Sequence, residues 1–474
     1  MPDRRQPMHI KWPLLVASLL LLDGGPLRGG EARTGSGSRE GTEPGAAIQI
    51  VPGSEEPATV VFLTRIMNRG ETGLRAPRIH QHTPVALPHQ TVNEIEVEGT
   101  PKRLTDRWGS PVLLYQLEQL APQTTMTARW TAWVTIRRFR WDLSRATPRG
   151  AAPLLPEEQG LYLRDAEAFG LNDPVIAAAA GQAARGRSGP AATIEGIFDL
   201  VMDRLSYDRD GKWGPAPQVL TSGKGSCSEY SYCFIALCRK HGLPARYAGG
   251  IIGRSGVPFY LDKVFHRFPQ AFVPDVGWVD FDPTRTDRAN NKRLFFGQTP
   301  GPMLLLCVGD GGEGSLTGWD YLESHAWQDE KARASSLRQA WWFAPPPLEV
   351  RKQVEQFRQQ LATTAAEGRS ALVSRALAIG HPFVLPWLDD LLYEPAARGA
   401  AAQACLKIGG QGELAAVINC LGRLNDEAGD RQIGRLIEEF TGEKLGTDRA
   451  RWNEWLKART PRTPLPGDTP EKKP

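Results

Sequence analysis

The 474-residue sequence lacks a strong charge of either sign. Its 57 basic and 53 acidic residues leave a formal net charge of +4. A dedicated nucleic-acid binder shows a marked basic surplus or stripe, so no nucleic-acid partner is expected. Long hydrophobic runs are missing as well. No run reaches the roughly 18 apolar residues that a helix needs to cross hydrocarbon. Cysteine is sparse: the six thiols at 227, 233, 238, 307, 405 and 420 are too few for a disulfide framework in so long a chain. No Cys-x-x-Cys pair occurs, which removes the usual structural zinc pattern. The remainder is ordinary globular material, 41% apolar and 23% charged, enough for about three domains.

The chain changes texture several times. Arg4, Arg5 and Lys11 precede a short apolar run from Trp12 to Leu22, interrupted by Pro13 and closed by Asp23. Small residues continue through Ala32, so residues 1–32 read as a signal peptide. Export to the periplasm or exterior is expected, with no integral span after cleavage and a membrane tether if the segment is kept. A retained anchor and a misplaced start codon are the alternatives. Residues 33–47, rich in Gly, Ser, Thr and Glu, read as a flexible linker. Residues 48–155 hold β-branched and aromatic runs, among them 59–63 and 125–139, separated by Gly, Pro and Asn. Segment 129–139 alternates as a half-buried strand does, and the whole reads as an antiparallel β-sandwich. Residues 156–344 carry helical patterns and then strand-like pieces, an α+β order. In that part Thr193 is a candidate cap for apolar positions at 194, 197, 198, 201 and 205. Pro345-Pro346-Pro347 opens an all-α region, 345–458. Its similar segments around Ile379 and Ile408 suggest HEAT-like helix pairs, against a plain helical bundle, and a possible protein partner. Residues 459–474 are Pro-rich and charged, a disordered tail.

The chemistry concentrates at Gly223 to Cys238. Ser226 and Glu229 are spaced as a capping box, which makes Cys227 the first helical residue. Unpaired backbone N–H groups and the helix dipole favour a thiolate there and can help bind an oxyanion. Cys233 and Cys238 fall mid-helix among apolar residues and read as small core fillers. A thiolate nucleophile needs an oriented proton carrier. His266 begins a strand-like run, and Asp282 ends the next one. Pro274-Asp275-Val276-Gly277 supplies a turn between them, so the two side chains would face each other across a hairpin. Asp282 would then accept the imidazole N–H and hold the ring toward Cys227.

Three motifs, Gly225-x-Cys227-x-Glu229-Tyr230, Gly242-Leu-Pro-Ala-Arg246 and His266…Gly277-Trp278…Asp282-Pro-Thr284, resemble the transglutaminase-like superfamily of papain-type cysteine enzymes. The resemblance covers roughly residues 160–290. It implies a papain-like core with Cys227, His266 and Asp282 as triad. It further implies a protein or peptide substrate and a Cys227 thioester; the residues of this sequence give no reason to expect a cofactor or metal. Hydrolysis or deamidation is preferred over amine transfer, and a catalytically inactive binding scaffold is the alternative. Phe268 stands where the family usually has Trp, Gln270 where an acid is common, and Pro269 interrupts the strand. Trp213 lies where some relatives place an oxyanion-assisting aromatic, although a surface role competes. Tyr207 would line the cleft or pack in the core. Glu229 is a cap and secondarily a substrate-side charge. Arg246 is expected in a structural ion pair rather than on substrate. His325 imitates the family's His-x-Trp but has no Gly-Trp and no Asp-Pro-Thr downstream of it. Asp208 to Gly211 lacks the remaining ligands of a calcium loop. His80, His82 and His89 fall in a Pro-rich loop with no metal-binding spacing. Cys405 and Cys420 either pair or sit in the core.

Overall fold

The computed structural model describes residues 48–143, 154–208, 213–287, 291–311, 316–317, 322–329 and 331–459. The expected signal segment, the linker, residues 209–211 and residues 460–474 of the expected tail lie outside the described residues.

The strand Glu56–Asn68 organises the rest. Its sequence is β-branched and apolar almost without a break, the pattern of a strand covered on both faces, and it is buried from Ala58 to Asn68. It lies at the centre of a five-stranded antiparallel sheet. The order is Phe259–Asp262, Ala334–Phe343, Glu56–Asn68, Thr125–Ile136, Gln90–Val97. Alternate residues serve different cores. Ala58, Val60 and Phe62 pack with the helices of residues 174–240, whereas Val61, Leu63 and Met67 pack with the C-terminal helices. Further along the first face, Ile66 meets Leu74, Ile79 and Met126 under a second antiparallel sheet. That sheet runs Glu323–Ala326, Arg78–His82, Pro111–Gln116, Lys102–Thr105.

A β-sandwich is therefore present, with two differences from the sequence reading. Three of its strands, 259–262, 323–326 and 334–343, come from the segment expected to follow it. Strand Thr125–Ile136 is not half-buried, because the C-terminal helices cover its second face and leave no exposed row. His80 and His82 also lie on a strand rather than in a loop. Among the described residues, no cluster of His, Cys, Asp and Glu could hold a metal.

The middle of the chain is a layered α+β unit. Helices Pro174–Ala183, Pro190–Arg204, Ala216–Ser222 and Cys227–Lys240 pack against a four-stranded antiparallel sheet. Its order is Gly277–Asp280, His266–Val273, Ala245–Ile252, Met303–Gly309. The second helix starts at Pro190, with Gly189 as cap, so Thr193 is not its N-cap. Proline fits the first helical position because its missing N–H would have no partner there, and the Thr193 hydroxyl instead donates to Gly189 O at 2.9 Å.

The C-terminal region is helical from Leu348 to Arg459. Besides apolar contacts, buried charges dock it on the central sheet. Arg65 Nη1 is 2.8 Å from Asp389 Oδ2, and Arg65 also pairs with Asp390. Arg129 joins Asp390 at 2.6 Å and Glu98 at 2.8 Å. No described helix is long and apolar enough to cross a membrane.

Candidate active site

The capping box forms. Ser226 is the N-cap of helix Cys227–Lys240, and Glu229 Oε2 accepts from the Ser226 amide at 2.8 Å and from its hydroxyl. Gly225 is required by close approach, since a Cβ there would lie 2.6 Å from Glu229 Cβ. Cys227 is thus the first helical residue, 8% exposed, and its backbone N–H has no intrahelical acceptor. Ser226→Ala is expected to cost about 1 kcal/mol of stability and to raise the Cys227 pKa. Urea unfolding and the pH dependence of Cys227 alkylation check both, and an unmoved alkylation profile would separate the cap from thiol activation.

The hairpin forms as well. Strand His266–Val273 pairs with Gly277–Asp280 in the register Gln270 with Asp280 and Val273 with Gly277. Asp282 lies just beyond that pairing, and its Oδ2 is 2.7 Å from His266 Nε2. Local sequence fixes the carboxylate a second way. Asp282 caps the short helix Pro283–Asp287, its Oδ1 accepting from the Arg285 amide at 3.0 Å, with Pro283 at the first helical position. Pro269 does not interrupt the strand. Its carbonyl accepts from Phe281 N at 3.0 Å, so the bond its absent N–H would make falls where the pairing with Gly277–Asp280 runs out. Phe268 stacks on the His266 ring at 6.1 Å and 17°.

Electrostatics favour an ion pair. Burial pushes the Cys227 thiol upward. The hydrogen bond from His266, the imidazolium charge, the Arg267 amide and the Arg267 guanidinium together bring it below its ordinary value. Burial lowers His266, but Asp282 and then Cys227 outweigh it and raise the imidazole to about 9. With Nε2 committed to Asp282, Nδ1 is the nitrogen left for the sulfur. Arg267 is a contributor the sequence reading missed. It is fully buried, its guanidinium 5.2 Å from the Tyr232 ring and 4.6 Å from the Tyr247 ring. An arginine inside the apolar run of strand 266–273 is the signal that could have found it.

The other candidates sort themselves by place. Glu229 is buried and engaged as a cap, not presented as a substrate-side charge. Tyr207 pairs through its backbone with Gly225, beside the entry to Cys227. Trp213 is 45% exposed ahead of helix Ala216–Ser222, while the three triad side chains are buried. Arg246 is not in the expected ion pair. Its guanidinium stacks 4.0 Å from Trp278, and its Nε donates to Gln270. His325 lies on strand 323–326, stacked on Trp327. All six cysteines are buried, and Cys405 and Cys420 are core residues that do not pair with each other. Burial raises the thiols of Cys233, Cys238, Cys307, Cys405 and Cys420. Cys227 alone is shifted toward thiolate.

A cysteine at a helix start is joined through a buried histidine to an aspartate. Residues 177–283 match the transglutaminase-like superfamily. The match begins within helix Pro174–Ala183 and ends one residue after Asp282, so this transglutaminase-like core contains all three side chains. No curated protein matches the chain. Among solved structures, the chain is similar to a candidate cysteine protease from Cytophaga hutchinsonii, with 15% identity, 62% of this chain and 93% of that one covered, and a TM-score of 0.44. It is also similar to a candidate protease from Parabacteroides distasonis at 13% identity, covering 45% and 42% of the two chains with a TM-score of 0.20. A TGase structure shares 13% identity over 44% of this chain and 50% of that chain, with a TM-score of 0.18. The protein is α+β: a transglutaminase-like core, antiparallel sheets and a C-terminal helical region.

Proposed function

We propose that the protein is a transglutaminase-like cysteine enzyme that acts on amide bonds of proteins or peptides, with water as the preferred acceptor. The observation that supports this most is the buried series Cys227, His266, Asp282, with the thiol shifted down and the imidazole shifted up. The Cys227 thiolate attacks a carboxamide or peptide carbonyl. The backbone N–H of Cys227 holds the developing oxyanion. His266 gives its proton to the departing amine, and an acyl thioester remains. Water, deprotonated by His266, then attacks the thioester and releases the carboxylic acid and the thiolate. A primary amine in place of water yields a new amide. Resemblance to bacterial relatives of this layout favours water. The basic, apolar and small-residue pattern of residues 1–32 supports action outside the cytoplasm.

The test offers the full chain a glutamine-containing peptide, with and without a primary amine, and reads products by mass spectrometry. Conversion of the side-chain amide to the acid means deamidation, an amine adduct means transfer, and backbone scission means peptidase action. Every product is expected to vanish in Cys227→Ala. A folded wild type that yields no product and no Cys227 labelling by a thiol probe supports the binding-scaffold alternative.

A further inference from the structure

His266 is reached through an unusual turn. Strand Phe259–Asp262 belongs to the five-stranded sheet, where Asp262 pairs with Ala340, Ala340 with Phe62 and Phe62 with Trp130. Paired residues share a face, so Asp262 stands in the row that faces the transglutaminase-like core. Only three residues separate it from His266. Asp262 Oδ1 accepts from Val264 N at 2.8 Å and from Phe265 N at 3.0 Å, and the Ile252 amide reaches the same carboxylate. Phe265, directly before His266, has φ +60°. That left-handed conformation is costly for a bulky side chain and persists only where its surroundings enforce it. Here they do. The Phe265 ring lies edge-on to Phe62 at 5.2 Å, and the Arg338 guanidinium is 5.5 Å from it. Both partners belong to strands of the central sheet.

We propose that Asp262 is a positioning residue for His266: its carboxylate holds the backbone of residues 263–265 in the turn that sets the imidazole against Cys227. Asp262 does not touch the reacting atoms. It acts through the direction in which the chain enters strand 266–273, and it makes the sandwich sheet part of the active-site framework. The inference rests on the cysteine-enzyme reading above. The charged groups around His266 are Asp282, with Arg285 Nε 4.0 Å behind it, then Cys227, the buried Arg267 that also acts on that thiol, and Asp262 itself.

The experiment tracks iodoacetamide alkylation of Cys227 against pH in the full chain, read on the Cys227 peptide. Asp262→Asn keeps an oxygen that can accept both amides while losing the charge. Asp262→Glu keeps the charge and loses the turn geometry. The asparagine variant is expected to label at pH 6 within about threefold of wild type. The glutamate variant is expected to lose roughly 10- to 100-fold there, as misplacement of a catalytic group does, with its profile moving to that of an ordinary thiol. A glutamate variant with native near-ultraviolet circular dichroism and a wild-type profile overturns the proposal. So does an asparagine variant as impaired as the glutamate one, which would assign the effect to charge. If the glutamate variant does not fold, Asp262→Ser, which adds no bulk and offers a shorter acceptor, takes its place with the same expected loss and the same overturning result. An ordinary thiol profile in wild type defeats the enzyme reading instead, independently of the Asp262 variants.

Discussion

His266→Ala is expected to lower kcat/KM by roughly 10⁴- to 10⁶-fold, the scale on which single members of a catalytic triad fail. Two losses combine. The thiol loses the hydrogen bond and positive charge that oppose its burial, so its pKa returns upward and little thiolate remains at neutral pH. The leaving amine also loses its proton donor. The pH dependence carries the sign of the interaction. Asp282 stabilises the protonated imidazole, and His266 therefore keeps its proton until about pH 9. In wild type, activity should fall as pH rises through that value. Asp282→Asn keeps a hydrogen-bond acceptor but removes the charge, so the basic limb should move to lower pH with a smaller loss of rate. A His266→Ala protein retaining a tenth of wild-type activity, or an Asp282→Asn limb that stays near 9, would defeat the triad assignment.

Arg65→Ala should produce the largest loss of stability, about 3–5 kcal/mol, the usual consequence of removing one partner of a buried charged group. Arg65 is fully buried between Asp389, which is itself inaccessible, and Asp390, and its guanidinium lies 4.2 Å from the Tyr393 ring. Asp390 retains Arg129, but Asp389 loses its paired cation and must either protonate or remain charged without it. A cavity the size of the lost side chain adds to the cost. Loss of C-terminal helix docking should accompany the drop, and protease sensitivity around residues 385–393 would report it. The measurement is the urea midpoint at unchanged slope, and a change below 1 kcal/mol would show that this charge cluster does not hold the helices.

The site was more legible than the architecture around it. Ser226 and Glu229 act over a few residues, so capping chemistry places the thiol from local sequence. The hairpin between His266 and Asp282 has its turn residues in plain order. The sandwich membership of strands 259–262, 323–326 and 334–343 was hidden, because their partners lie up to hundreds of residues away and strand pairing leaves no local mark. Segment 129–139 looked half-buried because Arg129, Thr131 and Trp133 alternate with apolar residues. That row faces the C-terminal helices, where Arg129 is neutralised by Asp390 and Glu98. Asp262 and Arg267 went unseen for a related reason: Asp262 bonds the backbone just before His266, and Arg267 acts on Cys227 through its amide and a buried charge.

Strand order also has a consequence for the nascent chain. The ribosome releases Cys227 and His266 well before it releases residues 334–343, yet those residues lie between strand 259–262 and the rest of the sheet. Until they emerge, the segment leading to the histidine has no neighbour within that sheet, and the grip of Arg338 on Phe265 cannot exist. Synthesis therefore reaches Cys227 and His266 before the strand that ties segment 259–262 into the sheet, and the turn ahead of the histidine gains its sheet neighbours only after that strand is made.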